Sequence, residues 1–350
     1  MQDIHSLEQK LKANLNWHGA RIKFLARFMT ALIQTRTVNL AEIATVFAGR
    51  AQELSHEQRC RRFLKEFNLP LAEIARLIVK LLDVKSGWTL VLDRTNWQCR
   101  GSEINLLVLA IVVEGLSYPV LWFDLNKAGN SHTDERILLL KLFLELFGKE
   151  RITTLLGDRE FVGKQWLQWL RAQEIQFELR VKENFMVTWR GRRRPLRELF
   201  RHATTKHPVI LKRPCERWGA SYYFSGSRLP TGEYLIVVSP QYVPGALTRY
   251  ARRWKIETLF QALKSRGFNL EETRVTAEDR LQKLFALVAL TLCWCHRIGV
   301  WLHERKALKP KKHGRLPKSL FRRGLNALRR LLTNPQASEL FLWHHFIGFL

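Results

Sequence analysis

Two aspartates stand where apolar, β-prone runs give way to polar residues: Asp93 in LVLDRTNW and Asp158 in LLGDREF. In open α/β sheets ligands collect at the rim formed by strand ends, because side chains there project into a crevice rather than into packing. A third carboxylate, Glu257, belongs to a helical stretch with Tyr250, Arg253 and Lys264. At about 100° per residue, Tyr250, Arg253, Glu257 and Lys264 fall at roughly 0°, −60°, −20° and −40° around the axis and share one narrow face. Three converging carboxylates with no soft ligand would suit Mg²⁺ or Mn²⁺. Each piece also has a plainer reading. Strand ends often carry Asp to start a turn or cap a helix, and a solvated face with an i,i+4 Arg253 and Glu257 pair gives the same stripe, although Arg before Glu is the weaker order. Asp124, after its own strand, and Glu160, beside Asp158, are alternative ligands.

The elements that must position these groups are legible as periodicity. From Ser6 to about Val84, apolar residues recur every three or four positions in LEQKLKANL, IKFLARFMTALI and LAEIARLIVKLL, which predicts a small helical domain over residues 1–86. After Gly87 the runs WTLVLD, INLLVLAIVVEG and YPVLWFDL read as three adjacent strands. A helix over 133–147, the strand ITTLLGD, the helix KQWLQWLRAQ and the strand IQFELRVK complete the order β-β-β-α-β-α-β. Residues 184–240 are basic, broken and β-prone, as in an insertion. Pro244 and Gly245 then precede one long predicted helix, ALTRYARRWKIETLFQALKSRG, ended by Gly267. The core would thus occupy 87–183 and 241–303, with a basic helical region over 304–350.

Lys plus Arg number 58 against 31 Asp plus Glu, a formal net charge of +27. Such a charge attracts polyanions, and nucleic acid is the natural partner. Residues 305–330 alone hold eleven Lys or Arg and no acid. Near the start, NLAEIATVF, Gly49 and SHEQRCRRFLKEF read as helix, turn, helix, with Ser55 and Gln58 spaced as a capping box. The second helix carries Arg59, Arg61 and Arg62, placed either to enter a major groove or simply to face solvent. The five cysteines are scattered without a CxxC pair, which argues against a disulfide framework and a zinc ribbon. Cys293 and Cys295 are two apart in an apolar helical run, so their thiols point away from each other and burial is the simpler role. That run is interrupted by Thr291, His296 and Arg297 and reads as a core helix rather than a membrane span. The opening MQDIHSLEQK has no secretory pattern, from which a cytoplasmic, nucleoid-associated location is expected.

Taken together, the acids and the stripe resemble the DDE transposases of bacterial insertion sequences, specifically the insertion-sequence-four type. That family's marker, Y-x2-R-x3-E-x6-K, reads here as Tyr250, Arg253, Glu257 and Lys264, preceded by DRTNW around Asp93 and GDREF around Asp158 and followed by SLFRRGL. The resemblance covers roughly residues 85–325. It implies an α/β fold with a ribonuclease-H-like catalytic core, with Asp93 on the first strand, Asp158 after the fourth, Glu257 on a later helix and a β-rich insertion before that glutamate.

The resemblance also implies an activity: cleavage at the ends of an insertion sequence and joining to target DNA, with Asp93, Asp158 and Glu257 holding two Mg²⁺ or Mn²⁺ ions about 4 Å apart. Hard cations are needed because the transition state adds charge to a phosphate that is already anionic. Tyr250, Arg253 and Lys264 would grip phosphates. Where the reaction passes through a DNA hairpin, an aromatic residue of the insertion would stack an extruded base. Trp218 is the first candidate and Trp189 the second, against packing as the competing role for tryptophans. Double-stranded DNA, as inverted-repeat ends and target, is the expected partner, bound by a homodimer, with no membrane and no small-molecule substrate. A nuclease of the same fold that never joins strands, and a non-catalytic DNA-binding relative, are the alternatives.

Overall fold

The computed structural model describes residues 4–47, 49, 51–83, 87–312, 314, 316–334 and 340–350. Residues 84–86 at the expected boundary, and His313 and Arg315 in the basic C-terminal run, lie outside the described residues. The helical start comprises α1 (Ile4–Lys12), α2 (Gly19–Thr35), α3 (Leu40–Thr45), α4 (Glu53–Glu66) and α5 (Leu71–Leu82). The three- and four-residue spacing buries Leu7 and Leu11 of α1, Phe24, Leu25 and Phe28 of α2, and Ile74, Ile78 and Leu81 of α5. The expected Ser55 and Gln58 capping box does not form. Helix α4 begins earlier, after Gln52, which makes no side-chain cap; Glu53 in its first turn is favoured by the helix dipole, so the helix extends past Ser55.

The β-rich part follows as β1 (Trp88–Cys99), β2 (Ser102–Val113), β3 (Leu116–Asp124), α6 (Thr133–Phe147), β4 (Ile152–Gly157), α7 (Lys164–Ala172) and β5 (Phe177–Val181). This is the order read from the sequence. The next stretch holds β6 (Met186–Trp189), β7 (Arg192–Pro195), α8 (Leu196–Leu199), β8 (Val209–Ile210), β9 (Cys215–Arg217), β10 (Ala220–Arg228) and β11 (Tyr234–Ser239). All join one large, mostly antiparallel sheet in the order β3-β2-β1-β4-β5-β11-β10-β9-β6-β7, with β8 on β10. Strand β11 pairs antiparallel with β5, so the sheet of residues 184–240 is continuous with that of the preceding strands.

Helices α9 (Ala246–Ala251), α10 (Lys255–Leu263), α11 (Glu278–Arg305), α12 (Leu320–Thr333) and α13 (Leu340–Gly348) complete the chain. The expected single helix to Gly267 is broken. A 3-10 turn over Arg252–Trp254 separates α9 from α10, and the helix stops at Leu263, with Lys264 leaving helical geometry at ψ −115. Strand side chains alternate between faces. On one face of β1, Trp88 meets Phe143 and Phe147 of α6, while on the other face of the sheet Trp122 of β3 meets Phe285 of α11.

Helices α2, α4, α5, α10 and α12 pack against helix α11. It is long and apolar enough to cross a membrane, yet most of that stretch is buried inside the protein. Cys293 and Cys295 are buried within it, and burial pushes both thiols up. His296, bonded through Nδ1 to the Tyr118 hydroxyl at 2.9 Å, is pulled down to about 3 by burial. Helix α12 crosses α11 at a glycine contact: a Cβ on Gly299 would overlap the Leu320 carbonyl oxygen, and one on Gly324 the Cys295 carbonyl oxygen. Backbone cannot yield there as a flexible side chain can. Gly324→Ala is therefore expected to lower the unfolding free energy by about 1–3 kcal/mol in denaturant titration, and an unchanged midpoint would show that the helices part freely.

Candidate active site

Parallel pairing brings the two aspartates together. In the ladder between β1 and β4, Leu92 stands opposite Gly157. Asp93 and Asp158 are one step further on, and Asp158 keeps an extended backbone at φ −80 and ψ 179. Side chains in register on parallel strands share a face, and neighbouring strands lie about 4.8 Å apart. Asp93 is not at a strand end, as the sequence suggested. Strand β1 continues to Cys99, because the polar residues after Asp93 pair with β2 through a two-residue turn at Arg100 and Gly101, both with positive φ. What ends beside Asp93 is its neighbour β4. Oδ1 of each aspartate accepts the amide of the next residue at 2.8 Å, Arg94 for Asp93 and Arg159 for Asp158.

Three arginines dock the segment carrying Glu257 across this face. Arg249 of α9 donates through Nε and Nη2 to Glu178 Oε1 at 3.0 and 2.7 Å, and the Thr154 hydroxyl donates to Glu178 Oε2 at 2.7 Å. Arg252 donates to the Thr89 hydroxyl at 2.9 Å. Arg253 donates through Nη1 to Asp93 Oδ2 at 2.8 Å and through Nη2 to Glu257 Oε1 at 3.1 Å. A single guanidinium, its side chain 6% exposed, thus joins Asp93 to Glu257, which is itself exposed. Tyr250 lies beneath, with the Arg253 guanidinium 5.9 Å from its ring, its hydroxyl buried with no hydrogen-bond partner in range among the described residues, and burial holding its phenol above its ordinary value. Lys264 reaches back to the Asn96 carbonyl at 2.9 Å and pairs with Glu271 at 3.0 Å.

A second brace ties the loops behind the aspartates. Arg94 bonds both oxygens of Glu160 at 2.7 and 2.8 Å and also Asn105 at 2.8 Å and Asn130 at 3.1 Å. Glu160 is thereby engaged by Arg94, and Asp124 lies two strands from Asp93, where its carboxylate accepts the Asn126 amide. Arg180, aligned with Asp158 on the neighbouring strand β5, is held by Glu233 at 2.8 Å. Sequence reasoning passed over Glu178, Arg180 and Arg249. The available signal was two charged residues in the otherwise apolar strand FELRV, which cost free energy to bury unless partnered.

The aromatic and basic candidates lie on other elements. Trp218 occupies the tip of the hairpin between β9 and β10 with φ 55, a left-handed conformation that strains a bulky residue. It packs edge-on against Phe185 and borders a cleft of about 730 Å³ with Arg171, Arg193 and Arg217. Trp189 lies half-buried in β6, with the Arg190 guanidinium 5.6 Å from its ring. Arg59 and Arg62 are exposed on α4.

Burial pushes the Asp93 carboxyl up to about 6; Arg253 and the Arg94 amide oppose this, and Asp158 and Glu160 add to it. Among the described residues no three His, Cys, Asp or Glu side chains are grouped closely enough to hold a metal ion, and Arg253 stands between two of the three candidates. The donor chemistry nevertheless fits a hard divalent cation, because the three candidates offer carboxylate oxygens only. Because the folded Asp93 binds its proton more tightly than the unfolded one, ionising it costs stability as pH rises from about 4 to about 6. Asp93→Asn removes that loss. In metal-free buffer, the variant's unfolding free energy relative to the parent is expected to climb by about 3 kcal/mol over that interval and then level off; a flat difference would refute the strained carboxylate.

The model of the transposase DDE domain matches residues 85–294 of the chain. No curated protein sequence matches it. Among solved structures, the fold is similar to a piggyBac transposase seen by cryo-electron microscopy in a synaptic complex with hairpin DNA. The TM-score is 0.51 at 11% identity, and the match covers 98% of this chain and 81% of the other. At that identity the likeness concerns the fold, while the family match reaches from before Asp93 into α11 and so takes in Asp93, Asp158, Glu257 and the arginines that dock them. The chain belongs to the transposase DDE domain family.

Proposed function

We propose that this protein is a DNA transposase of the insertion-sequence-four type, which cuts the ends of its element and joins them to target DNA in one active site. The observation that carries the reading is the meeting of Asp93 and Asp158 in register on one sheet face, with Glu257 linked to Asp93 through Arg253. The sheet order β3-β2-β1-β4-β5 and the helices on both faces support a ribonuclease-H-like core over 87–183 and 241–303, with residues 184–240 inserted before Glu257. Residues 1–86 and 304–350 would be helical DNA-binding flanks.

Asp93, Asp158 and Glu257 would hold two Mg²⁺ or Mn²⁺ ions, which when bound neutralise the scissile phosphate and activate the attacking oxygen. The chain's own groups do the positioning. The brace between Arg94 and Glu160 and the docking of Arg249 on Glu178 hold the elements that carry the carboxylates, and Arg253 would have to leave Asp93 and Glu257 for an ion to take its place. Arg253, Tyr250 and Lys264 would grip backbone phosphates once DNA and metal displace Arg253 from its two carboxylates and uncover the buried Tyr250 hydroxyl, Arg253 then acting by its two-pronged guanidinium. Such contacts orient the strand without reading its sequence. Water attacks first and frees a 3′-hydroxyl at the element's end; that hydroxyl then attacks the target phosphodiester, and the departing strand leaves with its own 3′-oxygen.

The strained indole of Trp218, set among three arginines, supports its assignment as the aromatic platform for an extruded base. A homodimer would hold the paired inverted-repeat ends in the bacterial cytoplasm, on the nucleoid. The test is cleavage of end-containing duplex in Mg²⁺, with a strand-transfer arm using precut ends. Asp93→Ala, Asp158→Ala and Glu257→Ala should each lose at least about a hundredfold in both arms while retaining DNA binding. Retained cleavage in any one removes that residue from the active site, and cleavage without joining by the parent protein would make it a nuclease.

A further inference from the structure

Two clefts flank helix α4 and share Arg62 in their walls. The first, about 430 Å³, lies between α2 and α4, where Arg21, Lys23, Arg27, Arg59 and Arg62 rim a floor of Phe24, Phe47 and Phe63, with no acid among the lining residues. The second, about 400 Å³, lies beyond α4, where Arg62 and Lys65 face Arg100 of the turn between β1 and β2, Arg274, and Arg280 of α11; Glu66 is the acid in its wall. Four chain segments, α2, α4, the turn at Arg100 and residues 274–280, therefore line one band. Among the described residues none of Arg21, Arg27, Arg59, Arg62, Arg274 and Arg280 forms an ion pair, whereas Arg61 in the same wall is neutralised by Glu57.

The band is fixed rather than hinged. Lys283 Nζ of α11 donates to the Leu64 carbonyl of α4 at 3.1 Å, and the Thr37 hydroxyl donates to Glu272 at 2.9 Å. Uncompensated like charges held close together repel one another and are a cost to the folded chain alone. A duplex, carrying one negative charge per about 1.7 Å of its axis, relieves that repulsion and releases its own counterions. A helix that reads base edges needs side chains projecting beyond their neighbours into a groove. Here Arg62 lines both clefts and Arg59 the first, beside cations from α2 on one side and, for Arg62, from residues 274–280 on the other.

We infer that the two clefts form one continuous track for the sugar-phosphate backbone of double-stranded DNA, with α4 as its middle rail and not as a base-reading helix. The inference deepens the transposase reading and rests on it for the choice of duplex DNA as the polyanion. It keeps Arg59 and Arg62 as DNA-binding residues and gives them backbone contact in place of major-groove entry.

The experiment measures binding of the full-length protein to a duplex of arbitrary sequence and to one of equal length and different sequence, in EDTA, over a series of salt concentrations. Arg62→Gln, the pair Arg21→Gln with Arg27→Gln, and the pair Arg274→Gln with Arg280→Gln are compared with the parent after circular dichroism confirms folding. Each lost phosphate contact lowers the slope of log affinity against log salt by about 0.9. Slopes should therefore fall by about one for Arg62→Gln and about two for each pair, equally on both duplexes. An unchanged slope overturns the track. So does a change of preference between the duplexes on Arg62→Gln with the slope intact, or a slope lowered for single-stranded but not for double-stranded DNA. No metal is present, so loss of the track with Mg²⁺-dependent cleavage intact would sink this inference alone, and absence of cleavage with the track intact would sink only the transposase reading.

Discussion

A guanidinium buried between two carboxylates holds the sheet to the segment that crosses it. Arg253 meets Asp93 from the first strand of the sheet and Glu257 from the next helical turn, and the geometry of the site follows from that junction. Such a pair is a weak source of net stability, because removing charges from water costs about as much as their attraction returns. Its value is directional. A planar group with paired donors fixes the angle and distance between its partners in a way that apolar packing of equal area does not.

Around that junction the same device recurs with different partners. Arg249 is bound to a carboxylate almost wholly removed from solvent on β5, and Arg252 to a hydroxyl on β1. The three arginines fall within five residues of chain, and each meets a separate point on the sheet. An uninterrupted helix would spread such neighbours around its axis by about 100° per residue. A 3-10 turn at Arg252–Trp254 interrupts the helix within this stretch, so the three side chains are not arranged as on one regular helix.

The acidic row and the basic surfaces are physically complementary. Asp93 sits where burial and neighbouring acids disfavour its charge, while Arg59 and Arg62 of α4 and Arg280 of α11 line clefts and form no ion pair among the described residues. Membership of the transposase DDE domain family gives this pairing a chemical setting, and Trp218, strained at a hairpin tip, is a further place where the chain holds an unfavourable conformation beside a cleft.

Local sequence determined what short-range physics can encode. Spacing of apolar residues marked the five leading helices, the three adjacent strands and the alternation that follows, because a helix or strand face must be apolar to be buried. The types and offsets of Tyr250, Arg253, Glu257 and Lys264 carried the resemblance to a transposase family, and unbalanced charge suggested a polyanionic partner. Only the tertiary structure decided that β1 runs on past Asp93, since its polar continuation is held by pairing with β2 and not by its own propensity. Only it decided that Arg253 meets an aspartate 160 residues away, that Glu178 is a docking point, that Lys264 lies beyond the helix end, and that Arg62 faces cations from two other segments. Register and charge pairing depend on which distant surfaces come into contact, and the periodicity of one segment carries no information about the surface it will meet.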